Sequence, residues 1–110
     1  MIHENVFIGK SVTIGKNCKI QQFAYIPDGV IIGNDVFVGP GATFLNDKHP
    51  PSNGMWRLEP PTVVGNHASI GGNSTILPSL LIGEHAVIGA GSVVTKNVPS
   101  HTTVYGNPAK

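Results

Sequence analysis

The chain has 110 residues, which is the usual size of a single domain, so we expect one folding unit over residues 1–110. Seven Lys plus Arg against six Asp plus Glu give a net charge of +1, which argues against a nucleic-acid or membrane surface held by bulk charge. The single cysteine, Cys18, cannot close an intrachain disulfide, and the sequence shows no signal peptide or membrane span, so we expect a reduced, cytoplasmic location.

A sixfold repeat of apolar residues runs through most of the chain. A large apolar residue occupies every sixth position in two stretches, and a mostly smaller residue follows four positions later. The large residues are Ile2, Ile8, Ile14, Ile20, Ile26, Ile32, Val38, Phe44, Val64, Ile70, Ile76, Ile82, Ile88 and Val94. The smaller ones are Val6, Val12, Cys18, Ala24, Val30, Val36, Ala42, Ala68, Ser74, Leu80, Ala86, Ser92 and Val98. On a helix, six steps of roughly 100° would scatter the large residues over three directions, so the pattern excludes a helix.

Short strands fit this spacing. The smaller residue and the next large one are two positions apart and therefore point to the same side of a strand, as in Val6-Phe7-Ile8. The remaining residues, such as Gly15-Lys16-Asn17 and Gly33-Asn34-Asp35, must turn corners, and Gly and Asn tolerate the positive φ that a tight corner requires. The sequence therefore predicts an all-β coil of short strands, in which Cys18 is a small core residue.

The rhythm breaks between Phe44 and Val64, and we predict an extruded loop at residues 45–62. Four of the nine prolines, the only tryptophan (Trp56) and the only arginine (Arg57) lie in this segment. Because a solenoid needs no tryptophan in a loop for its own stability, the loop is a candidate functional segment. The alternative is a surface excursion stiffened by proline.

Four stretches resemble a known family. They run from Gly39 to Pro50, from Ala68 to Pro78, from Ile88 to Pro99 and from Gly106 to Lys110. With the sixfold repeat, they resemble the hexapeptide-repeat acyltransferases, most closely the N-acetyltransferases that act on nucleotide-linked amino sugars. The resemblance implies a left-handed parallel β-helix, which is a triangular prism solenoid of about five coils with three repeat units in each. It also implies a homotrimer that binds acetyl-CoA between neighbouring prisms and needs no metal.

The resemblance further implies which residues meet acetyl-CoA. Gly71-Gly72 would bring backbone N–H groups close to the thioester, because only residues without a large side chain permit that approach. Ala90-Gly91 would line the pantetheine arm, although an ordinary corner is the alternative for this pair. Thr95-Lys96 would meet the adenosine end, and Lys110 would offset a phosphate.

The acceptor side is predicted to lie in the loop. His49 is the candidate general base, because an imidazole titrates near neutrality and because the residue matches a His-Pro pair of sugar acetyltransferases. Asn46 would orient the acceptor or the developing oxyanion, and Asp47 would fix the imidazole tautomer. Trp56-Arg57 would stack on a base or clamp a pyrophosphate, or would instead anchor the loop to a neighbouring subunit. In some relatives the amine of the substrate itself serves as the base.

Other functions remain open at this stage. The same site would serve O-acetylation of a sugar or small alcohol, and a non-catalytic scaffold would share the fold. The gamma-class carbonic anhydrases also share it, and they hold a metal with three histidines. His67 and His85 are predicted to stack one coil above the other, whereas His3 and His101 are isolated near the ends and carry no signal.

Overall fold

A computed structural model of the protein describes residues 1–46 and 60–110. Within these ranges the chain forms fourteen strands of two residues each, and no helix there is long and apolar enough to cross a membrane. The strands are β1 (Phe7–Ile8), β2 (Thr13–Ile14), β3 (Lys19–Ile20), β4 (Tyr25–Ile26), β5 (Ile31–Ile32), β6 (Phe37–Val38), β7 (Thr43–Phe44), β8 (Val63–Val64), β9 (Ser69–Ile70), β10 (Thr75–Ile76), β11 (Leu81–Ile82), β12 (Val87–Ile88), β13 (Val93–Val94) and β14 (Thr103–Val104).

The strands form three parallel sheets, which are the faces of a prism. The first face contains β1, β4, β7, β10 and β13; the second contains β2, β5, β8 and β11; and the third contains β3, β6, β9, β12 and β14. Because consecutive strands lie on different faces, three strands complete one coil. The predicted left-handed parallel β-helix of about five coils is confirmed.

Residues of neighbouring coils pair in a constant register that places the large apolar residues inside. Ile2 bridges to Ile20, and Ile20 pairs with Val38, so equivalent residues stack as ladders. Phe44 is fully buried at 0% exposure, and Cys18 is 4% exposed, so its prediction as a core residue is confirmed. The core is therefore a set of side-chain ladders that run along the prism axis.

The chain turns at three kinds of corner, which we name by their contents. The loop corner leads from the first face to the second and includes residues 27–29, 45–46, 77–79 and 95–96. The histidine corner leads from the second face to the third and includes residues 15–17, 33–35, 65–67, 83–85 and 99–101. The glycine corner leads from the third face to the first and includes residues 39–41, 71–73 and 89–91.

Positive φ occurs at the third residue of a corner, for example at Asn17 (60°) and Asp35 (58°). The leading glycines of the same corners, Gly15 and Gly33, are not among the residues with positive φ, so the interpretation that they supply it is wrong. They are needed instead because the coils lie very close. A Cβ added to Gly15 would fall 2.6 Å from the carbonyl carbon of Gly33 in the next coil. Asparagine at position 17 does fit the prediction, because it tolerates the left-handed conformation.

The break in the repeat leaves the pairing of the flanking coils unchanged. Thr13 pairs with Ile31, which is 18 positions later, whereas Ile32 pairs with Val64, which is 32 positions later. The chain therefore carries 14 additional residues at the loop corner. The predicted loop at residues 45–62 contains this surplus, and its central residues 47–59 lie outside the described ranges.

The last coil is shorter than the others, which the sixfold repeat did not predict. Val98 bridges to Ile82, and Val87 pairs with Thr103, so both partners are separated by 16 positions instead of 18. The prediction that Val98 is the small residue four positions after Val94 is therefore wrong, because Val98 takes the place of a large inward residue on the second face. It is 4% exposed there.

Replacing a core isoleucine tests the inward direction of the repeat. We expect Ile70→Ala to lower the free energy of unfolding by about 2–5 kcal/mol, because Ile70 is 0% exposed and its removal leaves a cavity between coils. Ile31→Ala is the matched control, since Ile31 is an outward residue that is 38% exposed. Denaturant unfolding measures both. Equal losses for the two variants would contradict the inward assignment of Ile70.

Candidate functional site

The glycine corner is rich in residues with a small side chain or none, namely Gly71, Gly72, Ala90 and Gly91. Gly91 donates its N–H to the carbonyl of Gly72 at 2.8 Å, which ties two successive corners together. A Cβ added to Gly71 would fall 2.5 Å from the nitrogen of Ala90, so this approach requires glycine. Ala90 and Gly91 are exposed. Four of the residues predicted to meet the cofactor therefore form one continuous strip, which we call the glycine strip and which consists of Gly71, Gly72, Ala90 and Gly91.

Two N–H groups of this strip are available to a ligand. Those of Gly72 and Ala90 have no backbone acceptor among residues 1–46 and 60–110, whereas the flanking Gly71 and Gly91 donate to neighbouring coils. Because coils stack directly, the two free donors lie one above the other at the same corner. An amide-bearing chain laid along the prism axis would meet donors of this kind in succession.

The carboxyl-terminal residues lie beside the same corner. Tyr105 and Lys110 exchange two backbone hydrogen bonds, with donor–acceptor distances of 3.3 and 3.1 Å. The Cβ of Tyr105 is also in close contact with Gly89, since a Cβ added to that glycine would lie 2.9 Å away. Ala109 donates to the carbonyl of Val93 at 2.8 Å and is buried. Lys110 is therefore tied through Tyr105 to Gly89, the first residue of the last glycine corner, and is itself exposed.

The other predicted residues that the structure describes lie at the opposite edge of the first face. Asn46 follows β7 and is half-buried, and Thr95-Lys96 follows β13 and is exposed. Both segments belong to the loop corner. The structure thus brings together Gly71, Gly72, Ala90, Gly91 and Lys110, and it places Asn46, Thr95 and Lys96 across the face from them.

A cavity of about 140 Å³ opens at the loop corner, where the inserted segment leaves and rejoins the prism. It is lined by residues 28–30, 45–46, 60–62 and 78–79. Ser79 anchors the returning chain, because its hydroxyl donates to the carbonyl of Pro60 at 2.7 Å and its N–H donates to the Thr62 hydroxyl at 3.0 Å. The cavity is therefore built from three successive coils.

Asp28 is a cavity residue that sequence reasoning missed. It lines the cavity together with Asn46, and its Oδ1 accepts the N–H of Lys10 in the preceding coil at 2.7 Å. The signal was present in the sequence, because Asp28 precedes Asn46 by 18 positions, the separation at which Tyr25 pairs with Thr43.

The residues predicted to do the chemistry lie mostly outside the described part of the chain. They are Asp47, His49, Trp56 and Arg57. The structure describes the flanks of their segment, which are Asn46 on one side and Pro60 on the other, and both line the cavity. The predicted roles of these four side chains remain predictions.

The histidine corner carries a ladder of three imidazoles. The rings of His67 and His85 are stacked with centroids 4.6 Å apart, which confirms their predicted stacking. His101 continues the ladder at 4.8 Å from His85, so the prediction that His101 is isolated is wrong. The short last coil explains the error, because it separates the last two rings by 16 positions. Below the ladder, Oδ2 of Asp35 lies 3.8 Å from Nε2 of His67.

Stacked rings face one another and do not converge on a point. Within the described ranges, no group of three or more His, Cys, Asp or Glu side chains is placed to hold a metal ion. The metal-binding alternative, which rested on His67 and His85, therefore gains no support from the geometry of this corner.

Comparisons with known proteins give consistent results. The family model described as bacterial transferase hexapeptide (six repeats) matches residues 11–46 and 61–96. Bifunctional protein GlmU of Fervidobacterium nodosum is 38% identical over 97 residues, covering 88% of this chain. Nodulation protein L of Rhizobium leguminosarum bv. viciae is 43% identical over 110 residues, covering 96% of this chain. A solved galactoside acetyltransferase in complex with coenzyme A superposes with a TM-score of 0.83 and 29% identity over all of this chain.

These similarities cover only part of the matched proteins. The chain spans 20% of the GlmU protein and 56% of nodulation protein L. It spans 59% of the galactoside acetyltransferase chain. The shared part is therefore the β-helix and its corners.

A methyl group at the glycine strip tests the close approach of the coils. We expect Gly71→Ala to destabilise the fold by about 1–3 kcal/mol, because its Cβ would fall 2.5 and 2.7 Å from backbone atoms of Ala90. The neighbouring substitution Gly72→Ala is the control, since its nearest contact is the carbonyl oxygen of Pro40 at 3.2 Å. Unfolding in denaturant gives both values. A loss from Gly72→Ala as large as that from Gly71→Ala would show that the packing at position 71 is not special.

Proposed function

Because the chain belongs to the bacterial hexapeptide transferase family, we propose that it is an acetyl-CoA-dependent acetyltransferase. The observation that carries the proposal is the glycine corner, where the N–H groups of half-buried Gly72 and exposed Ala90 have no backbone acceptor among residues 1–46 and 60–110. A solved structure of the same fold, the galactoside acetyltransferase, is a complex with coenzyme A.

In this proposal acetyl-CoA lies along the glycine corner, with its pantetheine amides parallel to the prism axis. Gly71-Gly72 and Ala90-Gly91 leave room for the arm, and the N–H groups of Gly72 and Ala90 donate to its carbonyls and to the thioester oxygen. Lys110 is held beside the same strip and offsets the charge of a phosphate. Thr95-Lys96 lies at the loop corner, so in this proposal it meets the adenosine end from a neighbouring copy of the chain.

The site needs a second copy of the chain to be complete. In one copy the glycine strip and the loop corner lie at opposite edges of the first face. A homotrimer with parallel prisms would place the loop of one copy against the glycine strip of the next. We therefore include a homotrimer in the proposal, with the thioester in the groove between prisms, and a cytoplasmic location where acetyl-CoA is available.

The proposed chemistry uses the inserted segment. An acceptor amine attacks the thioester carbonyl and loses a proton, while negative charge develops on the carbonyl oxygen. His49 accepts the proton, and Asp47 orients its imidazole. Asn46, which lines the cavity at the loop corner, orients the acceptor or the oxyanion. Trp56-Arg57 holds the more distant part of the acceptor. If His49 has no such role, the acceptor amine is its own base.

We propose a nucleotide-linked amino sugar as the acceptor. What supports this acceptor is the resemblance of the stretches from Gly39 to Pro50 and from Ala68 to Pro78 to the N-acetyltransferases that act on nucleotide-linked amino sugars. O-acetylation of a sugar or small alcohol is the second candidate, and the similarity to galactoside acetyltransferase favours it. An assay of nucleotide-linked amino sugars, simple amines and sugar hydroxyls distinguishes the two candidates. Turnover of each acceptor is monitored through the free thiol of coenzyme A that the transfer releases.

Acetyl-CoA should raise the melting temperature of the protein, because a ligand selective for the folded state at 100 times its dissociation constant contributes about 2.7 kcal/mol. Ala90→Gln should abolish the shift by placing a long side chain on the exposed strip. Glu84→Gln is the matched control, since Glu84 holds the same position within a histidine corner and is exposed. Absence of any shift in the wild-type protein would favour the non-catalytic scaffold.

His49→Ala should lower turnover on an amine acceptor by about a hundredfold or more, because it removes the general base. Acetyl-CoA should still raise the melting temperature of this variant, because the proposed contacts to the pantetheine arm come from the backbone N–H groups of Gly72 and Ala90 and not from the imidazole. Near-normal turnover of this variant with the natural acceptor would eliminate His49 as the base and assign that role to the substrate amine.

A further inference from the structure

Two buried hydroxyl groups lie directly beneath the glycine strip. Ser74 and Ser92 are 0% and 1% exposed, and each occupies the small inward position that precedes a strand of the first face. The same position holds Ala24 and Ala42 in earlier coils, and both alanines are fully buried. Packing alone therefore accepts alanine there, and the hydroxyls at positions 74 and 92 call for another reason.

Both hydroxyls converge on one carbonyl group. The Ser92 hydroxyl donates to the carbonyl oxygen of Gly89 at 2.6 Å, and the Ser74 hydroxyl donates to the same oxygen at 3.1 Å. In the coil that contains Ala42, the equivalent carbonyl of Gly39 accepts the N–H of Ala42 at 3.2 Å instead. The Gly89 carbonyl accepts no such backbone bond within the described ranges. The serines therefore replace a backbone donor at this corner.

Because a peptide group is rigid, the contact at the Gly89 carbonyl determines the direction of the Ala90 N–H at the surface. The carbonyl of Gly89 and the N–H of Ala90 belong to one trans peptide, so the two bonds point in opposite directions. Holding the carbonyl inward aims the N–H outward. Ala90 is exposed, and its N–H is one of the free donors of the glycine strip.

The same hydroxyl also fixes the carboxyl-terminal segment. Gly106 donates its N–H to the Ser92 hydroxyl oxygen at 3.2 Å, and its carbonyl accepts the N–H of Val93 at 2.9 Å. Ser92 thus connects the segment that ends at Lys110 with the corner that carries Ala90. The hydroxyl donates its one hydrogen to the Gly89 carbonyl and accepts the Gly106 N–H, so it acts as a donor and as an acceptor at the same time.

We propose that Ser74 and Ser92 are positioning residues for acetyl-CoA, which hold the Gly89–Ala90 peptide so that the Ala90 N–H points at the bound thioester donor. Neither serine touches the cofactor. The inference rests on the proposed acetyl-CoA site, and it identifies side chains within the prism that determine the affinity of that site.

The test compares acetyl-CoA affinity in variants that keep the fold. Ser92→Ala should raise the dissociation constant for acetyl-CoA about tenfold, and the double variant Ser74→Ala/Ser92→Ala should raise it further, because the peptide is no longer held. Ser92→Cys keeps a weak donor and should lie between the wild-type protein and Ser92→Ala. Titration calorimetry at 25 °C measures the constants, and circular dichroism verifies the folded state.

Cys18→Ala is the matched control. Cys18 is buried in the same kind of inward position, and its Sγ donates to the carbonyl of Gly33 at 3.1 Å, but at the histidine corner. This variant should lose stability without a change in acetyl-CoA affinity. Equal affinity of the wild-type and both serine variants would overturn the positioning role, as would an equal loss in Cys18→Ala. If the wild-type protein itself does not bind acetyl-CoA, the proposed function and this inference both fall.

Discussion

Hydrogen bonding between successive coils is the interaction on which the rest of the structure depends. A strand of two residues, such as Phe37–Val38, has almost no structure of its own, and it persists because coils above and below bond to it. The direction of the side chains selects one register, since a slip of one residue would turn the buried Val38 to solvent and the exposed Phe37 inward. Faces, corners and the candidate site all follow from that register.

Much of the fold was predictable because the same spacing of inward residues and corner residues recurs in every regular coil. The inward residues, the coil of short strands and the stacking of His67 on His85 follow from constant spacing, and the left-handed parallel β-helix follows from the family resemblance. The predictions that were wrong concern the places where the spacing changes or where the backbone conformation determines the role of a residue. His101 joined the ladder because the last coil lost two residues, and the corner glycines serve coil contact, which only the distance between coils reveals.

The candidate site was predictable only in part, for physical reasons. The residues of the glycine strip were predicted from the family resemblance, and their position at one corner follows from the repeat, since Gly72 and Ala90 are 18 residues apart. Asp28 was accessible from the repeat, since residues one coil apart share a corner. The bonds of Ser74 and Ser92 were not accessible, because a small buried serine and a small buried alanine fit the same inward position, and only the hydroxyl geometry separates them. The roles of four residues outside the described ranges stay predictions, namely those of Asp47, His49, Trp56 and Arg57.

The insertion at the loop corner lengthens the chain without changing how the coils stack. Val64 pairs with Ile32 as it would without the inserted residues, so the stacking of the coils does not depend on the length of the insertion. The entropic cost of closing a longer excursion rises only with the logarithm of its length, about 0.6 kcal/mol for each doubling. Under the proposed function, changes of acceptor preference can therefore accumulate in the inserted segment by insertion or exchange, while the glycine strip keeps the shape that the unchanged coils give it.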